Sequence, residues 1–301
     1  MSKPLHWVHI SDTHILPGWR DFTWRELLWF KRWVATAYLL VLRRRRFRYA
    51  RPRLAAFAEW LRANPPDVLV HTGDFSGLGM RRELARAVEL FAPLAAAAGL
   101  VRVTPGNHDL YLPEAGPFGA TFAAAFAPWL GPAPEQDPAD ISWPRVDLLE
   151  PNLALIMLNS ARPNPPFWRS SGGIPAPALA ALAERLARPD MRGRLLVLAT
   201  HFPLPDRRNR RDWHALDDAA ALRAILRPYG PGLLLHGHDH RCGRCALPDL
   251  SWPVFCAGSL TYAGRSGFWS FRWDGQQATA ARGHWAPERG FYLEPPEAVF
   301  S

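Results

Sequence analysis

The chain has 301 residues, 48% hydrophobic and 21% charged, which excludes a disordered chain and allows one large domain or two small ones around a substantial core. Its 36 Lys+Arg against 27 Asp+Glu give a formal charge of +9, and every cation except Lys3 and Lys31 is arginine. With 30 prolines and much alanine, that bias reads as base composition as much as function, so charge alone is weak support for an anionic partner. Three cysteines, Cys242, Cys245 and Cys256, exclude a disulfide scaffold. No second pair completes Cys242-x-x-Cys245 as a four-thiolate zinc site, so reduced thiols are expected. Met1–Ile10 is too short and too polar for a signal peptide. The longest apolar run, Trp33–Leu42, is about half of what spans a bilayer. The default compartment is therefore the cytoplasm.

In chain order, Leu5–Ser11 reads as an alternating, partly buried strand that ends on Asp12, Thr13 and His14. Arg53–Ala63 is a helix closed by Asn64-Pro65-Pro66. Val68–His71 is a β-branched strand ending at Thr72-Gly73-Asp74. Arg81–Ala98 is a helix stopped by Gly99. Val101–Thr104 is a strand ending at Pro105-Gly106-Asn107-His108-Asp109. Residues 114–145, rich in Pro, Ala and Phe, read as a loose helical excursion. A strand at Leu153–Leu158 precedes a helix at Ala176–Leu186. Leu195–Ala199 is a strand ending at Thr200-His201, Ala215–Leu226 a helix, and Leu233–Leu235 a strand ending at His236-Gly237-His238-Asp239-His240. Short strands follow near Val254–Ala257, Phe268–Trp273 and Ala278–Trp285.

Strands alternate with helices and then give way to strands alone. The pattern predicts a layered α/β domain whose terminal β segment completes a second sheet. Five of the strands end in Asp, Asn or His, and α/β sheets place their functional crevice beyond the carboxyl ends of strands. Those residues should therefore meet. Carboxylate, imidazole and amide donors together suit Mn, Fe, Zn or Co. Two such ions close together clamp a phosphoryl group and activate water.

The ordered set Asp12-Thr13-His14, Gly73-Asp74, Gly106-Asn107-His108-Asp109, His201 and Gly237-His238-Asp239-His240 resembles the calcineurin-like metallophosphoesterase family. The motifs frame residues 5 to 260. The resemblance implies a four-layer α/β/β/α sandwich, here one domain over 1–301 with a helical apolar insertion after the first strand. It implies two divalent ions, with Mn favoured. Asp12, His14 and His240 resemble the ligands of the first ion, Asp74 the bridging carboxylate, and Asn107, His201 and His238 the ligands of the second. His108 resembles the histidine that contacts phosphate and protonates the leaving oxygen, and Asp109 the residue that orients it. The remaining histidines have plainer roles: His6 and His9 as satisfied strand residues, His71 as a neighbour of the ligands, His236 as a residue that matches nothing in the ligand set, and His214 and His284 as surface residues.

Two features are peculiar to this chain. The first is the insertion at about residues 16–51, which carries many tryptophans and ends on Arg43-Arg44-Arg45-Arg46. Arg32, Thr36 and Arg43 form one polar stripe, and the rest of that helix is apolar, so it must be buried in protein or in lipid. Residues 19–48 accordingly suit an anionic membrane surface, with tryptophans at the headgroups and arginines on anionic lipid. A cap over the site and a contact between subunits stay open. The second is the loop Arg207, Arg208, Arg210 and Arg211, either solvated or an anion-binding rim.

The expected activity is hydrolysis of a phosphodiester or pyrophosphate, with a lipid-linked substrate at the inner face of the cytoplasmic membrane as the leading choice. UDP-2,3-diacylglucosamine pyrophosphate hydrolases of the family act in this way. The alternatives are a soluble cyclic nucleotide or other nucleotide and, in another class, a non-catalytic scaffold of the same fold. The basic clusters are interleaved with apolar residues rather than spread along a groove, which argues against nucleic acid.

Overall fold

The structure, a computed structural model, describes residues 3–16, 21–24, 28–38, 44–113, 119–133, 143–166, 168–204 and 214–300. The elements run β1 (Leu5–Ile10), α1 (Phe30–Tyr38), α2 (Arg44–Phe47), α3 (Ala50–Ala63), β2 (Val68–His71), α4 (Arg81–Ala95), β3 (Leu100–Val103) and α5 (Ala120–Phe126). The chain continues through β4 (Arg145–Leu149), β5 (Leu153–Met157), α6 (Ala176–Ala187), β6 (Leu195–Ala199), α7 (Ala219–Leu226) and β7 (Gly232–His236). It closes with β8 (Gly243–Leu247), β9 (Leu250–Cys256), β10 (Gly267–Trp273), β11 (Ala278–Ala286), β12 (Gly290–Leu293) and β13 (Glu297–Ala298).

Two sheets form. The first has the order β12-β11-β10-β1-β2-β3, with β13 paired to β11, and the second the order β4-β5-β6-β7-β9-β8. Strands β1, β2 and β3 are parallel, as are β5, β6, β7 and β9. The sheets meet face to face, with Trp7, Val68 and Val70 of the first against Leu153, Leu155 and Val197 of the second. Helices α3 and α4 pack together, and so do α6 and α7.

Helices that connect parallel strands cover a sheet's outer face, so those strands are buried on both sides. This explains why β2, β5, β6 and β7 are wholly buried. It also corrects the reading of β1 as alternating and half buried. Seated between β10 and β2, β1 is buried from His6 onward. His6 stays inside because its Nε2 lies 2.9 Å from the Ser270 hydroxyl, and His9 because its Nε2 lies 2.9 Å from that of Thr72. The terminal strands differ from expectation too: β9 joins the second sheet, while β10 to β13 extend the first. Within the stretch read as a loose excursion, α5 buries Phe122 and Phe126 against Phe75, so its described part belongs to the core. All three cysteines are thiols, and burial pushes Cys242 up to about 11, far from a reactive thiolate.

No helix among the described residues is long and apolar enough to cross a membrane. The insertion contributes α1 and α2, and α1 is turned inside out. Lys31 (6% exposed) and Arg32 (1%) point inward, while Phe30 (69%) and Trp33 (56%) face outward beside Trp24 (69%) and Leu28 (74%). Lys31 reaches the Asn164 carbonyl and lies 4.4 Å from the Tyr111 ring centre. Arg32 donates to the Leu78 carbonyl at 3.3 Å, and Asp21 pairs with Arg86. These polar ties, with Phe22 and Ala35 packed on the buried Leu78 and Met80, fasten the insertion to the sandwich.

Candidate metal centre

Each candidate ligand sits just past a strand end. Asp12 and His14 follow β1, Asp74 follows β2, Asn107 follows β3, His201 follows β6, and His238 and His240 follow β7. Six non-glycine residues have left-handed backbone among those described, and Asp12, His14, Asp74, His238 and His240 are five of them. Such conformations are strained for side-chain-bearing residues and concentrate at functional sites. The turns pack tightly: a Cβ at Gly106 would fall on the Asp74 carboxylate, and one at Gly237 on Asp12 and Ser11. Glycine is thus required where the strand-end turns cross. Ser259 and Thr261 add support by donating to the Asp12 and Thr13 carbonyls at 2.6 and 2.7 Å.

The structure brings these side chains together. Nε2 of His240 lies 2.9 Å from Asp12 Oδ1 and 3.0 Å from His14 Nε2. Asp74 Oδ2 lies 3.6 Å from His14 Nε2 and 3.5 Å from His201 Nε2. On the far side, the Asn107 amide oxygen is 3.0 Å from His201 Nε2 and 2.9 Å from His238 Nδ1. One carboxylate oxygen of each pair is already used, since Asp12 Oδ2 accepts from the His238 N–H and Asp74 Oδ1 from the His108 N–H. Asp12 Oδ1 is buried and, among the described residues, faces only the imidazole nitrogens of His14 and His240.

Protonation sharpens the picture. His14 donates from Nδ1 to the Ser76 carbonyl at 3.2 Å, and His201 from Nδ1 to the Thr72 carbonyl at 2.7 Å. Both rings therefore present a bare Nε2 to the centre. Burial holds His238 well below the ordinary histidine range, reinforced by His201, so it is neutral. Burial, with the Asp12 and Asp109 carboxylates beside it, pushes Asp74 well above the usual carboxylate range. Burial also raises Asp12, but His240 and its hydrogen bonds outweigh it and hold the group low. The site is thus a buried cluster of carboxylate, imidazole and amide groups with an imidazole nitrogen on either side of Asp74, a donor set that a cation satisfies. Ligand atoms of Asp12, His14, Asp74 and His240 all lie within 4.8 Å of one another, as a shared ion requires.

Asp109 departs from its expected role. Its carboxylate does not orient His108. Oδ2 accepts from the N–H groups of Asp74 (2.8 Å), Phe75 (3.2 Å) and Gly106 (2.9 Å), and Oδ1 accepts from the Ser76 N–H and hydroxyl (both 2.9 Å). Asp109 therefore builds the turn that carries Asp74. His108 donates from Nδ1 to the Gly77 carbonyl at 2.6 Å instead. That carbonyl is fixed by Glu83, a buried residue that sequence reasoning missed, whose carboxylate accepts from the N–H groups of Gly77, Leu78 and Met80. Burial pushes Glu83 up to about 7 against those hydrogen bonds. The only sequence signal for it was an acidic residue in the first turn of α4.

The other histidines fall into place. The Gly73 N–H donates to His71 Nδ1 at 3.1 Å, and His236 lies buried behind Gly237. His214 is exposed, and His284 pairs with Glu294. Phe47 was also missed: it is buried with its ring centre 4.7 Å from that of His14, which sets the end of the insertion against the site. Arg207, Arg208, Arg210 and Arg211 lie outside the described residues.

Comparison with known proteins follows this geometry. The family model for calcineurin-like phosphoesterases matches residues 5–242. No curated protein matches the chain. A dimetal phosphatase from Danio rerio is similar in structure, with a TM-score of 0.64 at 14% identity, and the match covers 99% of both chains. The purple acid phosphatase PPD1 from yellow lupin, Lupinus luteus, gives 0.62 at 12% identity, covering 100% of this chain and 54% of that one. At such identities these two likenesses speak for the fold.

Proposed function

The chain belongs to the calcineurin-like phosphoesterase family and is a metal-dependent phosphoric ester hydrolase; from that premise we propose which residues do the work and on what kind of substrate. Asp12, His14 and His240 would hold one divalent ion and Asn107, His201 and His238 a second, with Asp74 placed between the two sets. The observation that carries this reading is the place of Asp74 Oδ2, 3.6 Å from the bare Nε2 of His14 and 3.5 Å from that of His201. The mixed O and N donors accept several divalent ions, of which Mn is the one we take for the tests.

When bound, such ions polarise the phosphoryl oxygens and lower the pKa of the attacking water. The chain's own residues do the rest. His108, its ring oriented by the bond from Nδ1 to the Gly77 carbonyl, is the residue we assign to the leaving group. In the protonated ring, which carries a proton on each nitrogen, His108 would give the Nε2 proton to the leaving oxygen as the water oxygen bonds to phosphorus and the P–O bond breaks, the proton of the attacking water going to solvent. Asp109 keeps Asp74 in place through the turn it satisfies.

The substrate we propose is amphiphilic, a phosphodiester or pyrophosphate presented at an anionic membrane surface. The support is the inverted α1, whose cations face the sandwich while Phe30, Trp33 and Val34 join Trp24 and Leu28 outside. An outward apolar face of this kind suits the headgroup region of a bilayer. The test has two parts. Bis(p-nitrophenyl) phosphate hydrolysis should require added Mn and vanish with EDTA. The protein should pellet with anionic vesicles, and a form lacking residues 21–48 should not. Hydrolysis without pelleting would leave a capped soluble nucleotide phosphodiesterase or a contact between subunits; neither hydrolysis nor metal binding would leave a scaffold.

A further inference from the structure

A cavity of about 560 Å³ opens beside His240, within the usual size range of ligand pockets. Four arginines line it, Arg53, Arg241, Arg265 and Arg282, and no Asp or Glu does. Several arginines elsewhere are paired, Arg102 with Asp147, Arg162 with Asp217, Arg185 with Asp190 and Arg227 with Asp249.

The four guanidinium groups are arranged rather than merely crowded. Arg53 is buried, and its Nη1 donates to the carbonyls of Thr261 (3.0 Å) and Tyr262 (2.7 Å) and to the Ser266 hydroxyl (2.6 Å). It forms a fixed positive wall with only neutral partners. Arg282 donates from Nη2 to the Cys242 carbonyl at 2.6 Å, while its Nε–H is buried without a hydrogen-bond partner among the described residues. Arg241 and Arg265 are exposed at the mouth, and neither pairs with a carboxylate among the described residues. Trp285 and Tyr292 supply the apolar part of the wall. The carboxylates bonded to lining residues, Asp12 and Glu294, pair with His240 and His284 rather than with the arginines, so the four like charges repel one another and an anion bound among them relieves that cost. Arginine forks match phosphate oxygens in two-point contacts.

We propose that this cavity is a second anion subsite, and that the substrate carries a further phosphate-type group next to the one cleaved at the ion site. His240 lines both places, so a ligand in the cavity lies one side chain from the reacting phosphorus. The proposal rests on the phosphoesterase reading for its reaction but not for its binding. It makes the substrate an organic diphosphate or bisphosphate rather than a simple monoester.

The test begins with binding. Inorganic pyrophosphate is titrated calorimetrically into EDTA-treated protein, wild type and the Arg241→Ala/Arg265→Ala double variant, whose surface positions spare the fold. Wild type should bind, and the variant about tenfold or more weakly, with both melting alike. No binding by wild type, or equal binding by both, overturns the subsite. The second arm uses Mn-loaded protein. The ratio of kcat/KM for a nucleoside diphosphate ester to that for p-nitrophenyl phosphate should be about tenfold or more in wild type and fall toward unity in the variant. An unchanged ratio also overturns the proposal. The ester is offered once with a soluble alcohol and once with diacylglycerol in micelles, which separates a free diphosphate from a lipid headgroup as the source. If no ester is hydrolysed at all, the phosphoesterase reading fails while the titration still decides the subsite.

Discussion

Replacing Asp109 by Asn separates two accounts of the site. Its carboxylate takes four backbone N–H groups and one hydroxyl, all around the turn that carries Asp74. An amide of the same shape keeps one acceptor oxygen. If that oxygen stays on Asp74, Phe75 and Gly106, the new NH2 faces the Ser76 N–H. A buried donor left without an acceptor costs about 1–3 kcal/mol. The three remaining bonds lose charge assistance, which roughly halves each of them. The sum is about 3–7 kcal/mol, a melting shift on the order of 10 °C or more at ~2–4 °C per kcal/mol. Because the turn positions Asp74, affinity for Mn should also fall roughly 10–100-fold. The pH–rate profile at saturating Mn should keep its shape, since the His108 ring is held by Gly77 rather than by Asp109. Differential scanning fluorimetry, Mn titration and a pH profile with bis(p-nitrophenyl) phosphate read all three. A variant that melts with wild type and moves only the limb of the profile set by His108 would refute this reasoning.

Other expectations follow from the same structure. Glu83 is pushed up from 4.5 to about 7 by burial, so the native state keeps a proton that the unfolded chain releases. Its stabilising contribution is full below pH 4.5 and is lost as pH rises through 7, a loss of up to about 3 kcal/mol. Glu83→Gln should flatten the fall in melting temperature between those values, and parallel slopes in the two proteins would count against it. Phe30→Ser with Trp33→Ser should weaken pelleting with anionic vesicles roughly tenfold or more, whereas unchanged pelleting would remove the insertion as the anchor. Gly106→Ala should lose metal binding and fold poorly, because its methyl would collide with Asp74; a stable, metal-loaded variant would contradict the packing of the turns.

The sequence exposed the strand ends well. Buried parallel strands are short apolar runs, and polar residues directly after them have few roles apart from the crevice. It was less informative at the sheet margins. Strands β4 and β8 went unread because edge strands such as Arg145–Leu149 and Gly243–Leu247 mix charged and exposed positions and lose the apolar run. The place of β10 was hidden as well, since nothing local tells a late strand to pair with β1. For Asp109, the resemblance implied a residue that orients His108, yet a carboxylate among four converging N–H groups is captured by the turn, and that turn exists only once β2 and β3 lie side by side. Periodicity found the polar stripe of α1 but not its direction. Arg32 turns inward because the Leu78 carbonyl waits there, a contact between segments far apart in sequence.

The most direct test of the central claim is metal content read together with activity. Purified protein reconstituted with Mn should hold two ions per chain by elemental analysis and hydrolyse bis(p-nitrophenyl) phosphate. Asp74→Asn, which alters the one carboxylate placed between His14 and His201, should lose both the full complement and the hydrolysis. An Asp74→Asn protein that keeps two ions and full activity would contradict the centre as described.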